Sequence, residues 1–135
     1  MQLARRWNRA VRHYVKLLRL THWDVYTEVA PLEGGRMAEC QRLSETQQVR
    51  VSLSPEAHFG EGVRETRKGT EYPSTLDVAA AHEVLHILFD RTEEIVREAE
   101  AVLGSSIFRG IYEKEHERNI DGLAQVLAKT SPSGV

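Results

Sequence analysis

The stretch that most confines this 135-residue chain is residues 76–89, Leu-Asp-Val-Ala-Ala-Ala-His-Glu-Val-Leu-His-Ile-Leu-Phe. It is too long for an ordinary strand and holds neither Gly nor Pro, so it reads as a helix. Apolar residues lie on nearly every side, which places that helix in the interior. Yet it carries His82, Glu83 and His86. Burying three such groups without partners is costly. Residues i and i+4 share a helix face, so both imidazoles can reach one ion, and zinc accepts imidazole nitrogens at about 2.0–2.1 Å. Glu83, one position beyond the first histidine, stands beside that ion rather than on it. There a carboxylate can take the proton of a water acidified by the metal. The bland alternative is a helix with two hydrogen-bonded core histidines and a salt-bridged glutamate.

Two histidines leave a tetrahedral site short of one protein ligand plus water. A third histidine in the extended pattern H-E-x-x-H-x-x-G-x-x-H is excluded, because the last two marked positions are Phe89 and Thr92. The donor must come from further along, where the last helix offers Glu113, Glu115, His116, Glu117 and Asp121. Its apolar face runs through Ile120, Leu123, Ala124 and Leu127. Glu117 shares the inward side at helical spacing, Glu113 lies one turn earlier, and Glu115 is rotated away. Glu117 is therefore the expected third ligand. Asp121, one turn on, is placed to accept the free N–H of a ligating imidazole, and such carboxylates orient the ring and raise its basicity. An acidic solvated helix face is the alternative for both.

His82-Glu83-x-x-His86 followed by Glu117-x-x-x-Asp121 resembles the gluzincin metallopeptidases, whose pattern is H-E-x-x-H on one helix and E-x-x-x-D on the next. The layout is similar to the minimal single-domain gluzincins. Leu17-Leu-Arg-Leu-Thr-His-Trp-Asp-Val25 together with His82 to Leu88 also resembles phage and prophage metallopeptidases. The resemblance covers most of residues 14–128, with specificity confined to the two zinc motifs. It implies one zinc per chain on His82, His86 and Glu117, Glu83 as general base and acid, and Asp121 as histidine orienter. It further implies direct hydrolysis of a peptide or protein substrate. The chain departs from the family at Ala79, where Val or Thr is commoner, and shows no obvious oxyanion stabiliser. Tyr72, Tyr112 and His116 are the candidates.

The rest of the chain sets the frame. Leu3, Trp7, Ala10, Val11, Tyr14, Val15 and Leu18 recur at helical spacing, an amphipathic helix of about five turns. Residues 23–29, 37–43 and 48–53 read as strands, the last with Val49, Val51 and Leu53 on one face. Residues 31–35 read as a turn, with Gly34 and Gly35 able to supply positive φ. Residues 55–73 read as a long polar loop. Ser74 is expected to cap the central helix and Thr92 a following one that Gly104 stops. The final helix runs to about residue 129. The order is α+β: an N-terminal helix, a three-stranded sheet, the H-E-x-x-H helix and C-terminal helices. Residues 1–130 form the single expected domain, and 131–135 a fraying tail. Residues 48–53 are the expected strand for an added extended substrate.

Net charge is −2 but unevenly spread. Residues 1–23 hold Arg5, Arg6, Arg9, Arg12, Lys16 and Arg19 and no acid, whereas residues 71–121 hold 12 acids and 5 bases. The expectation is that the basic helix is structural and balanced by the acidic half, with nucleic acid not a partner. A cytoplasmic monomer without membrane contact is the default, since no long apolar run or leader-like segment is present. One cysteine, Cys40, excludes an intramolecular disulfide. His13 reads as a surface residue, His22 as structural, and His58 as a loop residue that could flank the cleft. Two alternatives to a peptidase stand. One is a binding module in which zinc merely pins two helices and the basic helix engages DNA or a protein. The other is a latent protease whose cleft is filled until a partner intervenes. Glu83 speaks for chemistry, because a structural zinc site has no use for it.

Overall fold

A computed structural model describes residues 2–43, 46–57, 64–66, 69–71, 76–103 and 106–129. The amphipathic stripe at the N-terminus forms α1 (Gln2–Leu17), burying Trp7, Ala10, Val11, Tyr14 and Val15. Three strands follow, β1 (Asp24–Val29), β2 (Ala38–Arg42) and β3 (Gln48–Leu53). Between β1 and β2 a 3₁₀ turn covers Glu33–Gly35, with Gly34 at φ 68° and Gly35 at φ 69°, the backbone glycine alone adopts freely. The apolar run becomes α2 (Leu76–Leu88). It is followed by α3 (Asp90–Leu103) and α4 (Ser106–Ala128). The fold is α+β, as the order of patterns implies.

Strand order in the sheet is β1-β3-β2, with β1 parallel and β2 antiparallel to β3. Val49, Val51 and Leu53 are 2%, 0% and 0% exposed, so the period-2 pattern does set the inner face. In register with them stand Val25, Thr27 and Val29 on β1 and Ala38, Cys40 and Arg42 on β2. α1 packs on β1 and α2, and α2 also meets β2, β3, α3 and α4, making it the central element. The indole N–H of Trp7 donates to the Val51 carbonyl at 3.0 Å, which ties α1 to the middle strand. Ile120 and Ala124 of α4 complete the core with 0% exposure each.

β3, taken from the sequence as the strand for an added substrate, is flanked on both sides and has no free edge. The edge nearest α2 belongs to β2. The Ser54 N–H donates to the Met37 carbonyl and the Leu43 N–H to the Gln48 carbonyl. Bonded and non-bonded pairs alternate in an antiparallel ladder, so residues 37, 39, 41 and 43 spend their backbone groups on β3. Those of Ala38 and Cys40 point outward.

Three further expectations change. Residues 55–73 are not wholly loop, because β4 (Arg64–Thr66) and β5 (Gly69–Glu71) pair there as an antiparallel hairpin. Thr92 does not cap α3, which already starts at Asp90, with one residue between it and the end of α2. The Arg42 guanidinium holds the Asp90 carboxylate at 2.9 Å and sits 5.9 Å from the Trp23 ring centroid, anchoring that helix start to β2. His13 is not simply a surface residue: its Nε2 is buried without a hydrogen-bond partner. Ser74, Gly104, His58, Tyr72 and the tail lie outside the described residues. No helix among the described residues is long and apolar enough to cross a membrane.

Candidate metal centre

α2 presents its polar residues in two directions. His82 and His86, one turn apart, have ring centroids 5.1 Å from each other and face α4. Glu83, only 8% exposed, turns toward β2. Across from the histidines, α4 places one carboxylate between them. The Glu117 Oε2 lies 3.4 Å from the His82 Nε2, and the Glu117 Oε1 lies 3.3 Å from the His86 Nε2. The other nitrogen of each ring is also engaged by a carboxylate. The His82 Nδ1 is 2.8 Å from the Asp121 Oδ1, and the His86 Nδ1 is 2.9 Å from the Glu93 Oε1.

That arrangement has a chemical consequence. A carboxylate only accepts, so each short Nδ1 contact requires N–H on Nδ1. A neutral imidazole has one N–H, and the Nε2 of both rings is then a lone pair aimed at the Glu117 carboxylate. Lone pairs facing carboxylate oxygens repel unless a cation lies among them. Either both rings carry a second proton or a metal ion occupies the space. The separations suit the metal: the edge of a tetrahedron with arms of about 2.0–2.1 Å is about 3.3 Å. His82, His86 and Glu117 thus fit one zinc ion, with the three donor atoms mutually within 4.8 Å.

A second group, His86, Glu93 and His116, satisfies the same distance criterion but has different geometry. A single oxygen, Glu93 Oε1, lies 2.9 Å from the His86 Nδ1 and 2.8 Å from the His116 Nε2. These are hydrogen-bond lengths, and we read the group as a carboxylate accepting from two imidazoles. Burial alone would raise the Glu93 carboxyl, but the bonds from His86 and His116 hold it below the usual range. Burial alone would lower His86, but Glu93, Glu83 and Glu117 raise it. Glu93 was missed in the sequence because an acid in the first turn of a helix is already explained by the helix dipole. The only available signal was its spacing, seven residues after His86 with a helix boundary between.

His116, one of the three oxyanion candidates, is therefore committed behind His86, and its ring stacks on Tyr112 at 5.1 Å. Tyr112 lines a small cavity of about 140 Å³ between α3 and α4 with Glu93, Glu113 and His116. Neither of these residues lines the cleft beside Glu83. Glu115, as expected, is turned away and pairs with Arg118 at 3.4 Å.

The cleft beside the site, about 360 Å³, is lined by Met37, Ala38, Ala79, His82, Glu83 and Asp121. It joins the outer edge of β2 to His82. A larger polar concavity of about 540 Å³ lies on the other face of the sheet. There Glu28 already binds Ser52 at 2.8 Å and Arg50 at 3.3 Å, so its chemistry is internally satisfied. Burial pushes the Glu83 carboxyl up, His82 and His86 oppose that, and Glu117 and Glu39 add to it. Cys40, on the inner face of β2, has its thiol pushed far up by burial and then by Glu83, Glu93, Asp90 and Glu39. It is held as the thiol, which makes it a poor metal ligand. No family model, curated protein or solved structure matches the chain.

Proposed function

We propose that this protein is a zinc-dependent peptidase in which His82, His86 and Glu117 hold one zinc ion and Glu83 is the general base. The observation that carries the reading is the division of labour on the two rings: both Nδ1 atoms are engaged by carboxylates, and both Nε2 atoms converge on Glu117. When bound, zinc supplies the Lewis acidity that polarises a carbonyl and lowers the pKa of water toward neutrality. Asp121 and Glu93 keep the imidazoles in the tautomer that leaves Nε2 free to ligate. Glu83 takes the proton of the attacking water at its carboxylate and returns it to the leaving amide nitrogen. An extended peptide adds to the outer edge of β2, pairing with the outward N–H and C=O groups of Ala38 and Cys40. That edge leads the scissile bond past Glu83.

A zinc ion that only pins α4 to α2 would leave no role for the Glu83 carboxyl buried beside it, which favours the catalytic reading. The test is digestion of a peptide library by the zinc-loaded protein, read by mass spectrometry. Cleavage that a chelator stops and zinc restores is expected. Full zinc content without cleavage of any library member would support the purely structural ion. The role of Glu93 has its own test. Glu93→Ala should lower zinc affinity about 10–100-fold, the usual effect of losing a carboxylate that orients a ligand histidine. Competition with a chromophoric chelator measures it, and an unchanged affinity would mean that Glu93 does not orient the ring.

A further inference from the structure

The exposed face of α1 carries a charge pattern that no acid among the described residues neutralises. Arg5, Arg9, Arg12 and Lys16 follow one another at spacings of four, three and four residues. At 100° per residue they fall within about 60° of arc, along roughly 16 Å of helix at 1.5 Å per residue. Arg6 flanks the stripe, and Arg19 follows the helix end. All six side chains belong to exposed residues. None pairs with an Asp or Glu among the described residues. Only Arg12 is partly used, donating to the Val25 carbonyl and to Asn8. The expected balancing by the acidic half of the chain is therefore absent among the described residues. Its physical reason is placement: the apolar stripe of α1 faces the core, so its cations face solvent.

The pattern works against the helix that bears it. The first turn of α1 contains no acid, so Arg5 and Arg6 oppose the positive end of the dipole. Arg5 with Arg9, Arg6 with Arg9, Arg9 with Arg12, and Arg12 with Lys16 are like-charge neighbours three or four apart, which repel. Past the helix end, Arg19 adopts φ 57°, while the Leu20 N–H donates to the Val15 carbonyl and the Arg19 N–H to the Lys16 carbonyl. This is the left-handed closing position that favours glycine, yet it holds a cation. A helix serving only to cover the core needs none of these features.

We propose that this face of α1 is a docking surface for the phosphate backbone of duplex nucleic acid. Five of the six cations are arginines, whose planar fork matches phosphate oxygens. The stripe is straight and carried by a helix that its opposite side fixes to the core. Among its exposed residues there is no Phe, Tyr or Trp, so it lacks the stacking platform that single strands use. Apart from Leu17 at its end, it presents no large apolar side chain to insert into a lipid surface. Recognition is through phosphates alone, without base readout, because the helix cannot leave the core to enter a groove.

The experiment is fluorescence anisotropy with a labelled 20-base-pair duplex and the zinc-loaded full chain. Binding in the micromolar range is expected at 50 mM salt. With about four phosphate contacts, affinity should fall roughly 100-fold between 50 and 200 mM salt. The combined variant Arg5→Gln, Arg9→Gln, Lys16→Gln should lose more than about tenfold in affinity, with a much shallower salt slope. A control with the same change in net charge, Arg91→Gln, Lys114→Gln, Arg118→Gln, should bind as the unaltered chain does. No binding at 50 mM salt, an equal loss in both variants, or preference for anionic phospholipid vesicles or polyglutamate over the duplex would overturn the proposal. Should the stripe variant fail to fold, the salt slope of the unaltered chain decides alone, a flat response being contrary.

Discussion

Glu83→Gln is expected to keep one zinc per chain and to lose peptide cleavage by about 10²–10⁴-fold, the usual effect of removing a general base. The substitution preserves size and leaves a hydrogen-bonding side chain in a site that is 8% exposed, so the packing of α2 against β2 is retained. Zinc content should not change, because the proposed ligands are the two imidazoles facing α4 and the carboxylate of Glu117, while Glu83 lines the cleft against β2. Zinc analysis and the rate on a substrate from the library separate the two roles. Loss of zinc to the level of His82→Ala would make Glu83 a ligand. Undiminished cleavage would mean that water is activated by some other group.

On the proposed zinc site, removing the ion should destabilise the protein strongly. Among the described residues, α4 meets the core through Ile120, Ala124 and the partly buried Leu127, while Leu123 and Val126 on the same helix are 43% and 60% exposed. Without the ion, the Nε2 atoms of His82 and His86 face the Glu117 carboxylate and must take up protons instead. A ligand bound only by the folded state at about 1,000 times its Kd adds about 4 kcal/mol. For a chain of this size that corresponds to a Tm difference on the order of 10–20 °C. Calorimetric scans with zinc and with excess chelator measure it. Coincident midpoints would show that α4 does not depend on an ion.

Much of this organisation was legible in the residue order, and the failures have common causes. The alternation of Val49, Val51 and Leu53 and the stripe of α1 are local periodicities, and local periodicity survives folding. The placing of Glu117 and Asp121 rested on the same helical spacing. Strand order is a non-local property, however. Nothing in residues 48–53 marks them as central, and the edge that borders the site turned out to be β2. The β4–β5 hairpin escaped because its strands are three residues each and polar, with no apolar alternation to detect. Glu93 escaped because its partners lie seven residues before it and 23 after it, and a helix-start acid already has a sufficient local explanation. The fate of His116 follows from that omission, since only Glu93 shows where its Nε2 is spent. The charge of α1 is a different case: composition says that the chain has enough acids to balance its bases, but only placement says whether they meet, and among the described residues they do not.

One zinc ion on His82, His86 and Glu117 is checked by zinc K-edge absorption on the loaded protein and on the Glu117→Ala and Glu93→Ala variants. Nitrogen and oxygen scatterers at about 2.0–2.2 Å, and no sulfur near 2.3 Å, are expected. Glu117→Ala should alter the first coordination sphere, while Glu93→Ala should leave it intact and only weaken binding. A sulfur scatterer, or a sphere unchanged by Glu117→Ala but changed by Glu93→Ala, would contradict this ligand set.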